Sequence, residues 1–218
     1  MSMSPRPGEP AFAYSYEGRV YLNVTNRCPT ACRFCAKFAW DWSYRGTLLR
    51  LPRDPAVGEL VHAAQHKLQT AAREEVVFCG YGEPTERLGV VLDVSAALKA
   101  SRPGLRLRLN TVGLGSLSAG RDIAPELARA VDTVSVSLNT ADAAQWRYLH
   151  RPKAALPAAS LAAVCDFIRA CVREGLHTTA SAVDQPGVDL LAVELLARSL
   201  GAHFRLRPAL VEAAPLAG

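Results

Sequence analysis

Short apolar, β-branched runs alternate along the chain with stretches of helical periodicity. Ala13–Tyr16 and residues 19–24 flank Glu17-Gly18, which predicts a β-hairpin. A polar, aromatic-rich loop follows, then a helix over 55–69. From there the alternation is regular. Strands are predicted at Glu75–Cys79, 105–110, 133–138, His177–Val183 and His203–Arg207. Helices fall at 86–101, 125–130, 141–150, 158–174 and 189–200, with Gly175 and Gly201 as stop signals. Each step from strand to strand is long enough for a right-handed crossover, so six strands should form a parallel α/β sheet. Two architectures remain open: a doubly wound sheet, or a curved partial (β/α)6 barrel entered through a short N-terminal hairpin. In either, the functional site lies at the C-terminal strand ends.

Composition narrows the class. The chain has 218 residues, half of them apolar, with 15 Gly and 14 Pro, which excludes disordered and collagen-like classes. Length favours one domain, divided as an N-terminal extension and hairpin strand at 1–18, a core at 19–208 and a tail at 209–218. The longest uncharged stretches, 109–120 and 154–165, are shorter than the ~18 residues of a membrane span. Arg6, Pro7 and Glu9 stand where an export signal would carry an apolar run, so a cytoplasmic location with no membrane partner is expected. The 25 basic residues face 20 acidic ones, and Arg outnumbers Lys 21 to 4. No run of five like charges marks a polynucleotide stripe.

Six cysteines carry the chemistry to be explained. In a cytoplasmic protein disulfides are a poor account of them. Cys28, Cys32 and Cys35 form a C-x3-C-x2-C loop after the first core strand, and clustered cysteines of this kind suit metal binding. Structural zinc takes four ligands, and no fourth Cys or His lies in the loop. A cubane iron–sulfur cluster on three cysteines would leave one iron open. One strand later comes Cys79-Gly80-Tyr81-Gly82-Glu83-Pro84. Its glycines allow close backbone approach to a ligand, and Glu83 offers acceptors to a cationic amine. It also fits a tight turn with Pro84 starting a helix.

These residues resemble the radical S-adenosylmethionine (SAM) signature: three cysteines with an aromatic before the last, then a GGEP-like turn. The stretches YLNVTNRC, VVFCGYGEPTERL, LRLNTVG, DTVSVSLNTAD, HRP, AVDQPGVD and FRLRP are further similar to the TatD-associated radical SAM proteins. The resemblance implies a partial (β/α)6 barrel and a [4Fe–4S] cluster on Cys28, Cys32 and Cys35, with S-adenosylmethionine chelating the unique iron. It also implies that Phe34 sits beside the adenine. The turn of Gly80, Tyr81, Gly82 and Glu83 would hold the methionine amine. Ser137 and Asn139 would contact ribose or carboxylate, Val183 would line the adenine, Asn110 would meet ribose or substrate, and Arg151 would pair the carboxylate. The implied activity is reductive cleavage of SAM to a 5′-deoxyadenosyl radical that abstracts hydrogen from substrate. The electron comes from a donor such as flavodoxin or ferredoxin, and no catalytic side chain is named. Two departures stand out. Tyr81 occupies the middle of the turn, so contact there is by backbone with the ring elsewhere. Val112 replaces the second Asn that related chains carry after the third strand.

The remaining candidates have bland alternatives. Trp40, Trp42 and Tyr44 shield the cluster, cover substrate or anchor their loop. Arg106, Arg108, Arg205 and Arg207 either face solvent or point into a barrel, and Arg207 is the candidate for an anionic substrate. Cys79, Cys165 and Cys171 are expected as ordinary buried thiols, and His62 and His66 as helix-surface residues. A minimal enzyme acting on a small or nucleotide-like substrate is the leading expectation. An activase for a partner protein, other protein or nucleic-acid substrates, and a zinc or iron–sulfur binding module are the alternatives.

Overall fold

The computed structural model describes residues 11–209. β1 (Ala13–Tyr16) pairs antiparallel with β2 (Arg19–Asn23), with Tyr14 opposite Tyr21. A one-turn helix α1 (Ala36–Ala39) and a small ribbon of β3 (Ser43–Tyr44) and β4 (Thr47–Leu48) precede α2 (Val57–Leu68). Then come β5 (Glu75–Cys79), a 3-10 turn at Pro84–Arg87, α3 (Leu88–Ser101) and β6 (Arg106–Thr111). α4 (Gly115–Ala119), α5 (Ala124–Ala130), β7 (Thr133–Ser137) and α6 (Ala143–His150) follow. The chain continues through α7 (Leu161–Arg173), β8 (His177–Val183), α8 (Leu190–Ser199) and β9 (His203–Arg207).

The main sheet has the order β1-β2-β5-β6-β7-β8-β9 and is parallel from β2 onward. Each parallel strand lies beside its chain neighbours. A doubly wound sheet reverses its order at a switch point, whereas a barrel wall does not. The order therefore decides between the two architectures, in favour of the partial barrel. The sheet also curls. Five strand spacings separate β2 from β9, about 24 Å along a flat sheet. Yet Arg205 on β9 is near enough to Arg19 on β2 and Arg108 on β6 for their charges to add to burial in lowering its pKa.

Side chains alternate across the sheet. Val20, Leu22, Val76, Phe78, Leu107, Leu109, Val134, Val136, Ala180 and Ala182 form the outer face and are buried in one core with the helices. The three long crossover helices at the C-terminal half start on side-chain caps. Asp142 accepts from Gln145 N, Ser160 from Ala163 N and Asp189 from Ala192 N. The structure adds α1, the β3–β4 ribbon and α4 to the predicted elements. Each has five residues or fewer, too short to show a period, and the ribbon is tied down by a chain-distant bond, Ala11 N to Leu48 O, and closed by a local one, Leu49 N to Trp42 O. Among the described residues no helix is long and apolar enough to cross a membrane.

Candidate functional site

The cysteine loop leaves the C-terminal end of β2 and is held from both sides. On one side it meets the turn after β5. Glu83 N donates to Arg27 O at 2.7 Å. A Cβ on Gly82 would stand 1.9 Å from the Thr25 carbonyl oxygen, and one on Gly80, at φ +109°, would stand 2.3 Å from Asn23 Oδ1. Only glycine permits that approach. Asp54 and Arg87 brace the junction: Thr25 Oγ1 donates to Asp54 Oδ1 at 2.7 Å, and Arg87 Nη1 donates to Val24 O and Pro55 O. On the other side the loop meets the end of α6. Ala31 N donates to His150 O and Arg151 O, Arg33 N to Leu149 O, and Lys153 N to Pro29 O. Thr30 forms a bridge with Pro152.

The three thiols are free and half-buried. Thr30 Oγ1 lies 3.4 Å from Cys28 Sγ and 3.3 Å from Cys32 Sγ. Burial raises all three thiols, Cys32 to about 12. Among the described residues no three His, Cys, Asp or Glu side chains close on a single ion.

Sequence reasoning missed His150, which appears in the sequence only as the first letter of HRP. It is fully buried and stacks on Trp146 at 4.7 Å, with the edge of Phe34 at 5.5 Å. Burial, with the Arg207 charge nearby, pushes it down to about 3, so it stays neutral. Val183 N donates to Asn139 Oδ1, which fixes the amide and turns Asn139 Nδ2 toward His150 Nε2 at 3.1 Å. The Asn139 orientation makes Nε2 an acceptor and puts the ring proton on Nδ1, 3.6 Å from Cys32 Sγ, with the Leu138 carbonyl as a second acceptor beside the ring. A relay of donors thus runs from the end of β8 to a cysteine of the loop.

Two expected contacts take another form. Asn139, 1% exposed, spends its amide on Val183 and His150, so its side chain orients the ring instead of reaching a ribose or carboxylate. Glu83, 3% exposed, is turned inward. Its carboxylate accepts from Thr85 N, Thr85 Oγ1, Thr111 Oγ1 and Val112 N at 2.7–3.1 Å. Burial still raises its pKa. The carboxylate therefore shapes the turn, and the acceptors left for an amine are backbone carbonyls. One of these, Tyr81 O, accepts from the buried Lys37 ammonium at 3.3 Å. Val112 keeps a polar contact through its backbone N–H.

The aromatic segment anchors its own loop. Tyr81 OH donates to Ser43 O at 2.7 Å, Trp42 meets the Tyr81 ring edge-on, and Trp40 stacks on Tyr44, which packs against Tyr14 and Tyr16. Arg151, in the left-handed conformation at φ 47°, is exposed beside the cysteine loop. Asn110 Nδ2 donates to Cys79 Sγ at 3.4 Å, and Arg207 Nη2 to Ser137 Oγ at 3.4 Å. Cys165 and Cys171 are buried in the helix-side core, as expected. Cys79 is not: it is half-buried on the inner side of the sheet, beside Val77 and Tyr81. His62 is exposed and His66 half-buried on α2.

The family model described as the radical SAM superfamily matches residues 22–200. No curated protein matches the sequence. Among solved structures, Streptococcus suis SuiB bound to S-adenosylmethionine superposes with a TM-score of 0.63 at 14% identity, over 88% of this chain and 40% of that one. SuiB bound to the precursor peptide SuiA gives 0.61 at 14% identity, over 86% and 38%. The FeFe-hydrogenase maturase HydG from Carboxydothermus hydrogenoformans gives 0.62 at 14% identity, over 92% and 46%. The chain spans less than half the length of these structures, and they share its partial-barrel fold.

Proposed function

Because the chain belongs to the radical SAM superfamily, enzymes that use a [4Fe–4S] cluster and S-adenosylmethionine, we propose that Cys28, Cys32 and Cys35 hold that cluster at the mouth of the half-barrel. The observation that carries this reading is the double clamp on the cysteine loop. A turn that tolerates only glycine presses on one side, and the end of α6 on the other. Cys28 and Cys32 share the Thr30 hydroxyl and Cys35 follows on the same clamped loop, so the donor set suits the group.

Around it, this chain's residues would bind and orient. The carbonyls of Gly80 and Gly82, beside that of Tyr81, which already accepts from Lys37, take the methionine amine. Phe34 and Val183 flank the adenine, Ser137 and Asn110 meet ribose or substrate, and exposed Arg151 is free to reach the carboxylate. His150 keeps Cys32 in place and donates toward its sulfur, an arrangement that tunes such centres. Once loaded, with an external one-electron donor such as flavodoxin or ferredoxin, the cofactor pair supplies radical generation and hydrogen abstraction. The protein contributes positioning and exclusion of water. The resemblance to the TatD-associated subgroup belongs to this reading, as does the division into residues 1–18, 19–208 and 209–218.

A small or nucleotide-like substrate suits the concave face described below. A peptide or protein substrate is the second reading, favoured by the place of β9 at the sheet edge among the described residues and by the peptide-bound state of SuiB. Anaerobic reconstitution with iron and sulfide tests the assignment. The wild type should show iron–sulfur absorbance and form 5′-deoxyadenosine from SAM under strong reductant. Cys32→Ala should lose both, and retention of either would contradict the ligand set.

A further inference from the structure

Over β6–β9 the inner face of the sheet is polar where the outer face is apolar, whereas Tyr14, Tyr21 and Val77 form a buried aromatic cluster at its β1–β5 side. Facing the concavity are Arg19 on β2, Glu75 on β5, Arg108 and Asn110 on β6, Ser135 and Ser137 on β7, Thr179 and Ser181 on β8, and Arg205 and Arg207 on β9. Strand register places them on one side: Asn110 is level with Ser135, Ser135 with Thr179, Ser181 with Arg205 and Val183 with Arg207. Within this face the charges do not balance. Glu75 pairs with Arg19 and lies 3.5 Å from Arg108. Arg205 and Arg207 have no carboxylate within 4 Å among the described residues.

Two of the guanidinium groups also hold neutral oxygens. Arg108 Nη2 donates to Tyr21 OH at 3.1 Å, and Arg207 Nη2 to Ser137 Oγ. The Nε atoms of Arg108 and Arg207 and the Oδ1 of Asn110 are buried without partners. Buried polar groups are ordinarily paired, so three orphans on one concave surface point to a ligand that completes them. Burial and the neighbouring Arg108 hold the Arg205 pKa down. Burial and Arg205 do the same to Arg207. An anion between them would relieve both effects.

Resting on the reading above, we propose that Arg108, Arg205 and Arg207 bind a doubly charged oxyanion of the substrate, of the phosphate-monoester kind. Four arginines face one carboxylate here; Arg19 and Arg108 both border Glu75, and Arg205 and Arg207, which border none, match the two charges of one phosphate dianion. A single carboxylate would leave one guanidinium uncompensated. Guanidinium forks match phosphate geometry with two parallel donors each. Asn110 Oδ1, left as an acceptor beside them, would take a hydroxyl or amine donor of the same molecule.

Inorganic phosphate is the probe, titrated calorimetrically into the purified chain at constant ionic strength. One phosphate should bind per chain, and Arg205→Gln or Arg207→Gln should weaken it about tenfold or more. Arg207→Lys keeps the charge without the fork and should fall between, with circular dichroism confirming that each variant is folded. The proposal is overturned by absence of phosphate binding, by variants that bind as well as wild type, or by tighter binding of succinate than of phosphate. Displacement of phosphate by SAM would overturn it too, since the arginines would then belong to the cofactor site. Phosphate binding requires no cluster, so a failed SAM-cleavage assay leaves it standing, and loss of phosphate binding leaves the cluster assignment standing.

Discussion

The two faces of the seven-strand sheet are made by the same strands and follow opposite rules. The outer face is Val, Leu, Phe and Ala packed under the helices, with Phe78, Leu107 and Leu109 fully buried. The inner face carries arginines, hydroxyls and an amide with unmet hydrogen-bonding capacity. A barrel whose role is only structural fills its interior with branched apolar side chains. Here most of the hydrophobic burial lies outside, the inner face adds the smaller Tyr14–Tyr21–Val77 cluster at its β1–β5 side, and the β6–β9 side is left for a polar ligand. The difference implies that the two faces answer to different measurements: stability outside, ligand affinity inside.

Adjacent residues on β6 give the sharpest contrast. Leu109→Ala, facing the helices, should cost about 2–5 kcal/mol in urea unfolding. Asn110→Ala, one residue on and facing inward, should cost less than about 1 kcal/mol, because its oxygen has no partner to lose. Equal losses would erase the distinction between the faces. Thr111 qualifies the comparison, since it is a polar residue buried on the outer side. Its hydroxyl donates to Glu83 at 2.7 Å and accepts from Gly113 N at 3.0 Å. Thr111→Val should therefore cost about 1–3 kcal/mol despite conserving shape. A neutral result would show that the Glu83 network does not hold the turn. The smallest effect is expected for Arg205→Gln, whose stability should stay within about 0.5 kcal/mol of wild type. A large loss there would mean that the inner arginines serve the fold and not a ligand.

Much of the architecture was legible in the chain. All six parallel strands lie within a residue or so of the predicted ranges, because β-branched runs between helical periods mark them and the crossovers leave few topologies. Periodicity could not choose between a doubly wound sheet and a barrel, since both use identical elements and differ only in which strands pair. The cysteine loop and the glycine turn were visible as motifs. Their mutual clamp was not, because it joins Thr25 to Gly82 and Ala31 to His150 across long stretches of chain. Glu83 and Asn139 were read as cofactor contacts from motif position, and burial gave their side chains other partners. Cys79 could not be separated from Cys165 and Cys171 by composition, because only the strand's parity in the folded sheet puts it on the inner face.

By itself the sequence determined the elements, their parallel pairing class and the three thiols on one loop, since local propensity and short spacing suffice for these. Tertiary structure alone decided the handling of charge. His150 becomes a neutral donor to Cys32 only when buried beneath Trp146, and Arg205 comes within electrostatic reach of Arg108 only because the sheet curls. The physical reason is shared: protonation state and electrostatic complementarity depend on desolvation and on neighbours distant in the chain, and neither exists until the sheet has closed around them.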